Sequence, residues 1–147
     1  MISVLNQLRD YHNLVFSLVN SLVTPALVGV RLYIGWLFFK SGLTKIDNWE
    51  STLFLFEYEY MVPIISYELA AILATVGELV LPVLLVTGLL TRVSAIGLSV
   101  INIIAVITYA DMTMASFNMH VLWGVLLAML VFLGGGKVSV DKLLKIS

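Results

Sequence analysis

Long apolar stretches make up most of this chain, and short polar segments separate them. Nearly unbroken apolar runs extend over about 25–43, 69–90, 93–109 and 120–135. A helix of about 20 apolar residues is long enough to cross the hydrocarbon core of a bilayer. Backbone polar groups in hydrocarbon must pair internally, and these runs lack the alternation of barrel strands. The pattern predicts an all-α, integral membrane four-helix bundle that forms one domain over residues 1–147.

Local signals refine the first two spans. Apolar residues recur near helical spacing in the first 20 residues, interrupted by Arg9 and Asp10, which predicts an N-terminal interfacial amphipathic helix rather than a secretory signal. Thr24 followed by Pro25 has the N-cap and N1 pattern, so the first span is expected to start there. Pro82, inside the second run, predicts a kink at mid-membrane, which either opens a pocket or is absorbed by neighbouring helices.

The charges predict the orientation of the spans. Cations lie before the first span, between the second and third, and after the fourth: Arg9, Arg92, Lys137, Lys142 and Lys145. The connection between the first and second spans is acidic and interleaves aromatic residues with carboxylates, as expected of a segment in the headgroup layer. Since short loops rich in lysine and arginine stay inside the cell, both termini are expected to be cytoplasmic.

Composition agrees with a membrane protein and excludes several chemistries. Hydrophobic residues make up 61% of the chain and charged residues 12%, and the mean hydropathy is +1.05. A net charge of −1 gives no electrostatic reason to expect nucleic acid as a partner. The chain has no cysteine, which excludes disulfides and thiolate chemistry. His12 and His120 fall on opposite sides of the bilayer, so neither a metal site nor a heme is predicted.

Two charged residues fall inside the predicted spans. Arg31 lies about 9 Å deep if its helix starts near Pro25, and Glu78 lies about 15 Å from the opposite surface. A mid-span charge costs about 2.5 to 3.5 kcal/mol, so we expect the two to form a bidentate ion pair. Asn102 falls at a similar depth and is expected to donate a hydrogen bond to Glu78. The cluster either holds the helices in register or has a function, as a proton relay or as a binding site for a polar head group.

A second polar group is predicted toward the outer surface. Lys45 lies 14 residues after Arg31, about 40 degrees short of the same helical face, so both are expected to face inward, whereas Lys40 is expected to be an edge cation. His120 starts the fourth span, and a carboxylate such as Asp111 would raise its pKa. His120 is a candidate proton donor, with anchoring at the membrane interface as the alternative.

Three segments resemble those of the DoxX family of small four-helix bacterial membrane proteins: "RLYIGWLFFKSGLTKI" (31–46), "GELVLPVLLVTGLLTR" (77–92) and "HVLWGVLLAMLVFLGGGKVSVDKLL" (120–144). Proline at 82 departs from the small residues that are commoner there. The matching polar and glycine positions in this chain are Arg31, Gly35, Gly42, Lys45, Glu78, Gly88, Arg92, His120, Trp123, Gly136, Ser139 and Asp141. The resemblance implies a multi-pass protein of the bacterial inner membrane, associated with redox systems such as thiosulfate:quinone oxidoreductase or a complex handling oxidative and thiol stress.

The leading hypothesis is a quinone-linked redox protein, or the membrane subunit of such a system. Glu78 and His120 are the candidate catalytic residues, which would handle the proton. The candidate substrate-binding residues are Arg31, Lys45, Asn102 and Trp123. The expected partners are the bilayer, a quinone, a soluble or membrane redox protein that supplies electrons, and further copies of the chain. Two alternatives are a non-enzymatic scaffold that docks a soluble partner and a small-molecule permease subunit.

Overall fold

The computed structural model describes residues 2–146, with side chains described at residues 7 and 9 and from 11 to 146. Helices follow in this order: α1 (Ile2–Asp47), α2 (Trp49–Leu55), a π-helical segment (Phe56–Tyr60), α3 (Tyr67–Thr87), α4 (Thr91–Thr108), α5 (Met114–Leu133) and the short α6 (Val140–Leu143). No strand occurs over residues 2–146. Four helices, α1, α3, α4 and α5, are long and apolar enough to cross a membrane. The predicted all-α membrane four-helix bundle is confirmed.

The first helix does not start at Pro25, and that expectation is wrong. Pro25 lies inside α1, which runs unbroken for 46 residues. An internal proline removes one backbone hydrogen bond and costs about 3 kcal/mol, a penalty that the long helical stretches on both sides offset. The N-terminal segment is helical, as its periodicity predicted, but it continues directly into the first span. Its apolar side chains from Leu14 to Leu22 are exposed.

Helices α1 and α3 pack closely because glycines remove side chains from their contact. A Cβ atom at Gly35 would clash with the side chain of Val86, and one at Gly42 would lie 3.0 Å from the Leu79 side chain. Small residues allow such close approach between membrane helices. Pro82 is fully buried, and its carbonyl oxygen would lie 3.4 Å from that Cβ atom at Gly35. Pro82 also lines a groove of about 360 Å³ between α1 and α3, so a pocket does lie at this proline. The kink itself stays a prediction.

The turn between α3 and α4 is fixed by α6. Gly88 ends α3 in the left-handed conformation, with φ of +75°. The Asp141 carboxylate accepts hydrogen bonds from the backbone N–H groups of Leu90 (2.6 Å) and Thr91 (2.8 Å), and the Asp141 N–H donates to the Gly88 carbonyl (2.8 Å). Asp141 is buried, so these contacts tie the C-terminal segment to the bundle.

Both ends of the chain leave the bundle on the same side. Gly136, in the loop that leads to α6, lies against Thr24 and Leu27 of α1. The same loop reaches Arg31, and α6 covers the α3–α4 turn. The part of α1 that packs in the bundle therefore begins at the same end of the bundle as α6. Which side is cytoplasmic stays a prediction.

The opposite end of the bundle is covered by α2 and the π-helical segment. Thr52 and Phe56 are buried there, and Phe56 packs on Ala70 and Ala71 of α3. The acidic connection is therefore more than an anchor in the headgroup layer, because part of it folds back onto the bundle. The main core lies nearer the termini and contains Leu27, Ile34, Phe38, Leu85, Ala95, Leu98, Leu127 and Leu130.

Candidate functional site

Arg31 is held by main-chain carbonyl groups. Its guanidinium donates hydrogen bonds to Leu85 (2.8 Å) and Val86 (2.6 Å) in the last turn of α3. It also donates to Gly135 (2.9 Å) and Val138 (2.7 Å) in the loop after α5. Carbonyl groups in the last turn of a helix lack intrahelical donors, and the negative end of the helix dipole favours a cation there. Arg31 thus caps α3 and joins three parts of the fold.

The expected bidentate pair between Arg31 and Glu78 is wrong. Glu78 instead pairs with Lys45, whose Nζ lies 2.6 Å from Oε2. The reason is the register of the antiparallel helices: α1 runs on to Asp47, so its last turn, rather than Arg31, lies beside the middle of α3. The prediction that a mid-span charge needs a partner was correct in principle, but it matched the wrong two residues.

The Lys45–Glu78 pair is the centre of the candidate site. Glu78 is the twelfth of the 21 residues of α3, which puts it at the middle of a helix long enough to span a membrane. Its side chain is 8% exposed and that of Lys45 is 17% exposed. Lys45 also donates a hydrogen bond to the Ser41 hydroxyl at 2.9 Å. An ammonium group has three donors, so one remains after these two contacts. Among the described residues, nothing else hydrogen-bonds to the Glu78 carboxylate.

Asn102 and His120 form the second polar pair. The Asn102 Oδ1 lies 2.8 Å from the His120 Nδ1, and the Asn102 Nδ2 donates to the His120 carbonyl at 3.0 Å. The expected hydrogen bond from Asn102 to Glu78 is therefore wrong. The partner of the His120 ring is this neutral amide rather than the Asp111 carboxylate. Because an amide oxygen only accepts hydrogen bonds, Nδ1 carries the proton of the neutral His120 ring, and Nε2 can accept a hydrogen bond from a ligand.

A polar cavity of about 380 Å³ connects the two pairs. Lys45, Glu78, Asn102 and His120 all line it, together with apolar side chains of α1 and α4. Ligand pockets in proteins typically have volumes of about 300–1,000 Å³ and combine apolar walls with a few polar groups. The predicted site residues, apart from Arg31, thus lie around one space. Arg31 precedes Lys45 on α1 by about 21 Å, at about 1.5 Å per residue, and it does not line this cavity.

Trp123 and Lys40 also line the polar cavity. The Trp123 indole contacts the His120 ring edge-on, with centroids 4.7 Å apart, and its N–H donates to the Tyr33 hydroxyl at 3.3 Å. This contact fixes the plane of the His120 ring from one side. Lys40 is exposed, as expected of an edge cation, although it stands at the mouth of the cavity.

Tyr60 is a cavity residue that sequence reasoning missed. It ends the π-helical segment and lines the polar cavity beside Glu78. Its ring packs against Tyr109, with centroids 5.4 Å apart. Burial, followed by the nearby Glu78 carboxylate, raises the pKa of the Tyr60 phenol above its ordinary value of 10.0. The phenol therefore keeps its proton at neutral pH and can act as a hydrogen-bond donor in the cavity.

Comparison with known proteins agrees with this architecture. The DoxX family profile matches residues 26–111. An uncharacterised protein from Haemophilus influenzae is 31% identical over 132 residues, which cover 82% of this chain and 83% of the relative. No solved structure matches the chain. With four membrane-spanning helices and a family match over more than half of its length, this multi-pass membrane protein belongs to the DoxX family.

Proposed function

We propose that this protein is a quinone-binding redox protein, or the quinone-binding subunit of a redox system, in the inner membrane of a bacterium. The observation that carries the proposal is the ion pair of Lys45 and Glu78, which lies at the middle of the membrane-spanning helix α3 and lines a cavity with a second polar pair. Charged groups within a membrane span are expensive to bury and mark functional sites.

The polar cavity offers the groups that a quinone ring needs. A quinone has two carbonyl oxygens that accept hydrogen bonds, and two donors line the cavity: the Lys45 ammonium on α1 and the Tyr60 phenol at the end of the π-helical segment. Trp123 and Phe38 supply aromatic surface beside them, with ring centroids 6.4 Å apart. Lys45 and Tyr60 would hold the ring, and the His120 Nε2 would accept a hydrogen bond from the quinol hydroxyl.

Reduction of a quinone to a quinol requires two electrons and two protons. Of the ionisable side chains that line the cavity, we assign the exchange of protons to Glu78 and His120. The bound quinone would supply the electron-accepting chemistry. Because the chain has no cysteine, thiol oxidation cannot supply the electrons from within it. A redox partner must deliver them, in agreement with the role of a membrane subunit.

Binding of a small quinone to the purified protein tests this proposal. The protein is placed in phospholipid nanodiscs and titrated with 2,3-dimethoxy-5-methyl-1,4-benzoquinone, while tryptophan fluorescence is recorded. Trp123 lines the cavity, so a ring bound there should quench its emission. Glu78→Gln and His120→Gln should weaken binding about tenfold or more, because each removes an ionisable group that lines the cavity.

The matched control is Glu57→Gln. Glu57 lies on the exposed face of the π-helical segment and outside the polar cavity, and its variant makes the same chemical change as Glu78→Gln. Quenching that saturates in the wild type and in Glu57→Gln, but not in Glu78→Gln, supports the proposal. Equal binding by all variants, or no saturable quenching in the wild type, overturns it.

The scaffold alternative makes a different prediction for the same variants. If Lys45 and Glu78 only join α1 to α3, Glu78→Gln lowers the unfolding temperature, and no saturable ligand binding exists in any variant. Mass spectrometry of the protein purified in native lipid adds an independent readout. A stoichiometric quinone in the wild type that is depleted in Glu78→Gln favours the redox proposal over the scaffold.

A further inference from the structure

A second cavity adjoins the polar one. It has a volume of about 240 Å³ and lies between α3, α4 and the π-helical segment. The two cavities share five lining residues, which include Lys45, Tyr60 and Glu78, so the ion pair stands at the boundary between them. Beyond that boundary the second cavity, which we name the apolar chamber, is lined almost wholly by apolar side chains from Phe56 to Ala105.

The apolar chamber opens sideways toward lipid. Leu73 of α3 and Val100 of α4 line it and are 56% and 50% exposed. Both belong to membrane-spanning helices, so their exposed faces contact hydrocarbon. The chamber therefore connects the bilayer interior with the Lys45–Glu78 pair.

We propose that the apolar chamber holds the isoprenoid tail of the quinone whose ring occupies the polar cavity. This inference rests on the proposed function. A ring bound beside Glu78 is tethered to a long hydrocarbon chain that must leave the protein. The polar cavity has Lys40 and Thr44 among its lining residues, which are poor neighbours for hydrocarbon. The apolar chamber offers the tail a continuous apolar path into the bilayer.

The chamber is expected to provide space for the tail without adding to the binding free energy. A hydrocarbon tail that moves from lipid into the chamber stays in an apolar environment, so it gains no hydrophobic free energy. A blocked chamber, in contrast, excludes a tailed quinone by steric overlap and leaves the tailless ring unaffected. The difference between a tailed and a tailless ligand is therefore the diagnostic quantity.

A pair of matched tryptophan variants tests the proposal. Val100→Trp fills the mouth of the chamber, and Ile96→Trp adds the same side chain one turn earlier on α4. Both parent residues are 50% exposed, but Ile96 does not line the chamber. Each protein, in identical nanodiscs, is titrated with 2,3-dimethoxy-5-methyl-1,4-benzoquinone and with its 6-decyl derivative. The decyl compound is enriched in lipid relative to the tailless compound, and this enrichment is the same for every protein. It therefore cancels when the ratio of the two dissociation constants is compared among the proteins.

We expect Val100→Trp to weaken binding of the decyl compound about tenfold and to leave binding of the tailless compound unchanged. Ile96→Trp should match the wild type for both compounds. If Val100→Trp also fails to bind the tailless compound, Leu73→Trp, on the other wall of the mouth, is used in its place. Tailless binding then shows that the site is folded.

The possible failures are distinguishable. If the tailless compound binds to every protein and blocking the chamber leaves the ratio unchanged, the tail path is overturned and the proposed function stands. If the wild type binds neither compound, the proposed function is overturned, and this inference is overturned with it.

Discussion

A Cβ atom at Gly88 would lie 2.6 Å from the guanidinium nitrogen Nη2 of Arg31. The same glycine ends α3 with φ of +75°, a backbone conformation that residues with a side chain rarely adopt. Gly88 thus meets two demands at once: it turns the chain at the end of α3, and it leaves room for the guanidinium to reach the last carbonyl groups of that helix. Arg31 can act as a cap across helices because position 88 has no side chain.

Gly88→Ala should destabilise the protein by about 2 kcal/mol or more. Backbone strain contributes about 1 kcal/mol, and displacement of Arg31 from its carbonyl acceptors adds to it. The measurement is the unfolding temperature in detergent, followed by circular dichroism. Gly29→Ala is the control, because it lies inside α1 with nothing within 4 Å of the added Cβ atom. That variant should be neutral or slightly stabilised, and equal losses in both variants would contradict the role of Gly88.

Lys45→Met and Glu78→Leu should each destabilise the protein, by about 3 kcal/mol, because each leaves one buried charge without its partner. The double variant should regain most of this loss, since an apolar pair of similar size replaces the ion pair. Quinone binding should be absent in all three variants. Unfolding temperatures measure the loss of stability, and fluorescence titrations measure the loss of quinone binding. A double variant that binds quinone like the wild type would contradict the role of this pair in ligand binding.

Asp141 should make stability depend on pH in the acid range. Burial alone raises the pKa of this carboxyl group, but hydrogen bonds from the backbone of Thr91 and Leu90, and the nearby Arg31 cation, together lower it below its ordinary value of 3.8. The folded state therefore binds the proton more weakly than the unfolded state does. The stabilisation is present above the ordinary pKa and is lost as the pH falls through the lower, folded-state pKa.

Asp141→Asn should consequently cost about 1 to 3 kcal/mol at pH 7, since an amide N–H₂ replaces one acceptor oxygen beside two backbone donors. The difference from the wild type should shrink as the pH falls below about 4. Unfolding temperatures between pH 7 and pH 3 measure this. Asp111→Asn, at an exposed position, should track the wild type throughout. A gap that stays constant with pH would contradict the assignment to Asp141.

Ile64→Gly should stabilise the protein by about 1 kcal/mol. Ile64 lies in the loop before α3 with φ of +82°, a strained conformation for a branched side chain, and it is fully exposed. Glycine adopts this conformation without strain. Ile65→Gly is the control: its φ is not positive and its side chain lines the apolar chamber, so that variant should be destabilised. A lower unfolding temperature for Ile64→Gly than for the wild type would show that the strain is not relieved.

The four spans could be predicted from sequence because an apolar run of sufficient length has few other stable structures. The ends of the spans were predicted less well, because the residue at which a helix begins or ends also depends on its tertiary contacts. Serine and glycine are common at the start and end of helices, and both have that role in α3: the Ser66 side chain accepts a hydrogen bond from the Leu69 N–H at 3.4 Å, and Gly88 ends the helix. At Pro25 the same kind of signal failed, because helix on both sides overrides a single proline.

The polar residues of the site could be recognised, but their partners could not. Each is conspicuous in an apolar span, whereas pairing depends on the register between helices, which an uncertain start for α1 left open. Arg31 was expected to pair with a carboxylate because a buried cation commonly has an anionic partner. The hydrogen bonds of its guanidinium are instead accepted by carbonyl groups at the end of α3. Tyr60 gave no signal, because a π-helical segment breaks the periodicity by which inward positions are recognised.

Arg31 and the loop between α5 and α6 close one end of the bundle, whereas the polar cavity lies toward the other end. If Glu78 and His120 exchange protons with a quinone, those protons enter and leave by the face opposite the chain termini. The reaction is then vectorial: a donor oxidised on the side of the termini would leave its protons there while the quinone takes up protons from the other side. The side of the membrane at which Arg31 closes the bundle would thus decide whether turnover contributes to a transmembrane proton gradient or dissipates it.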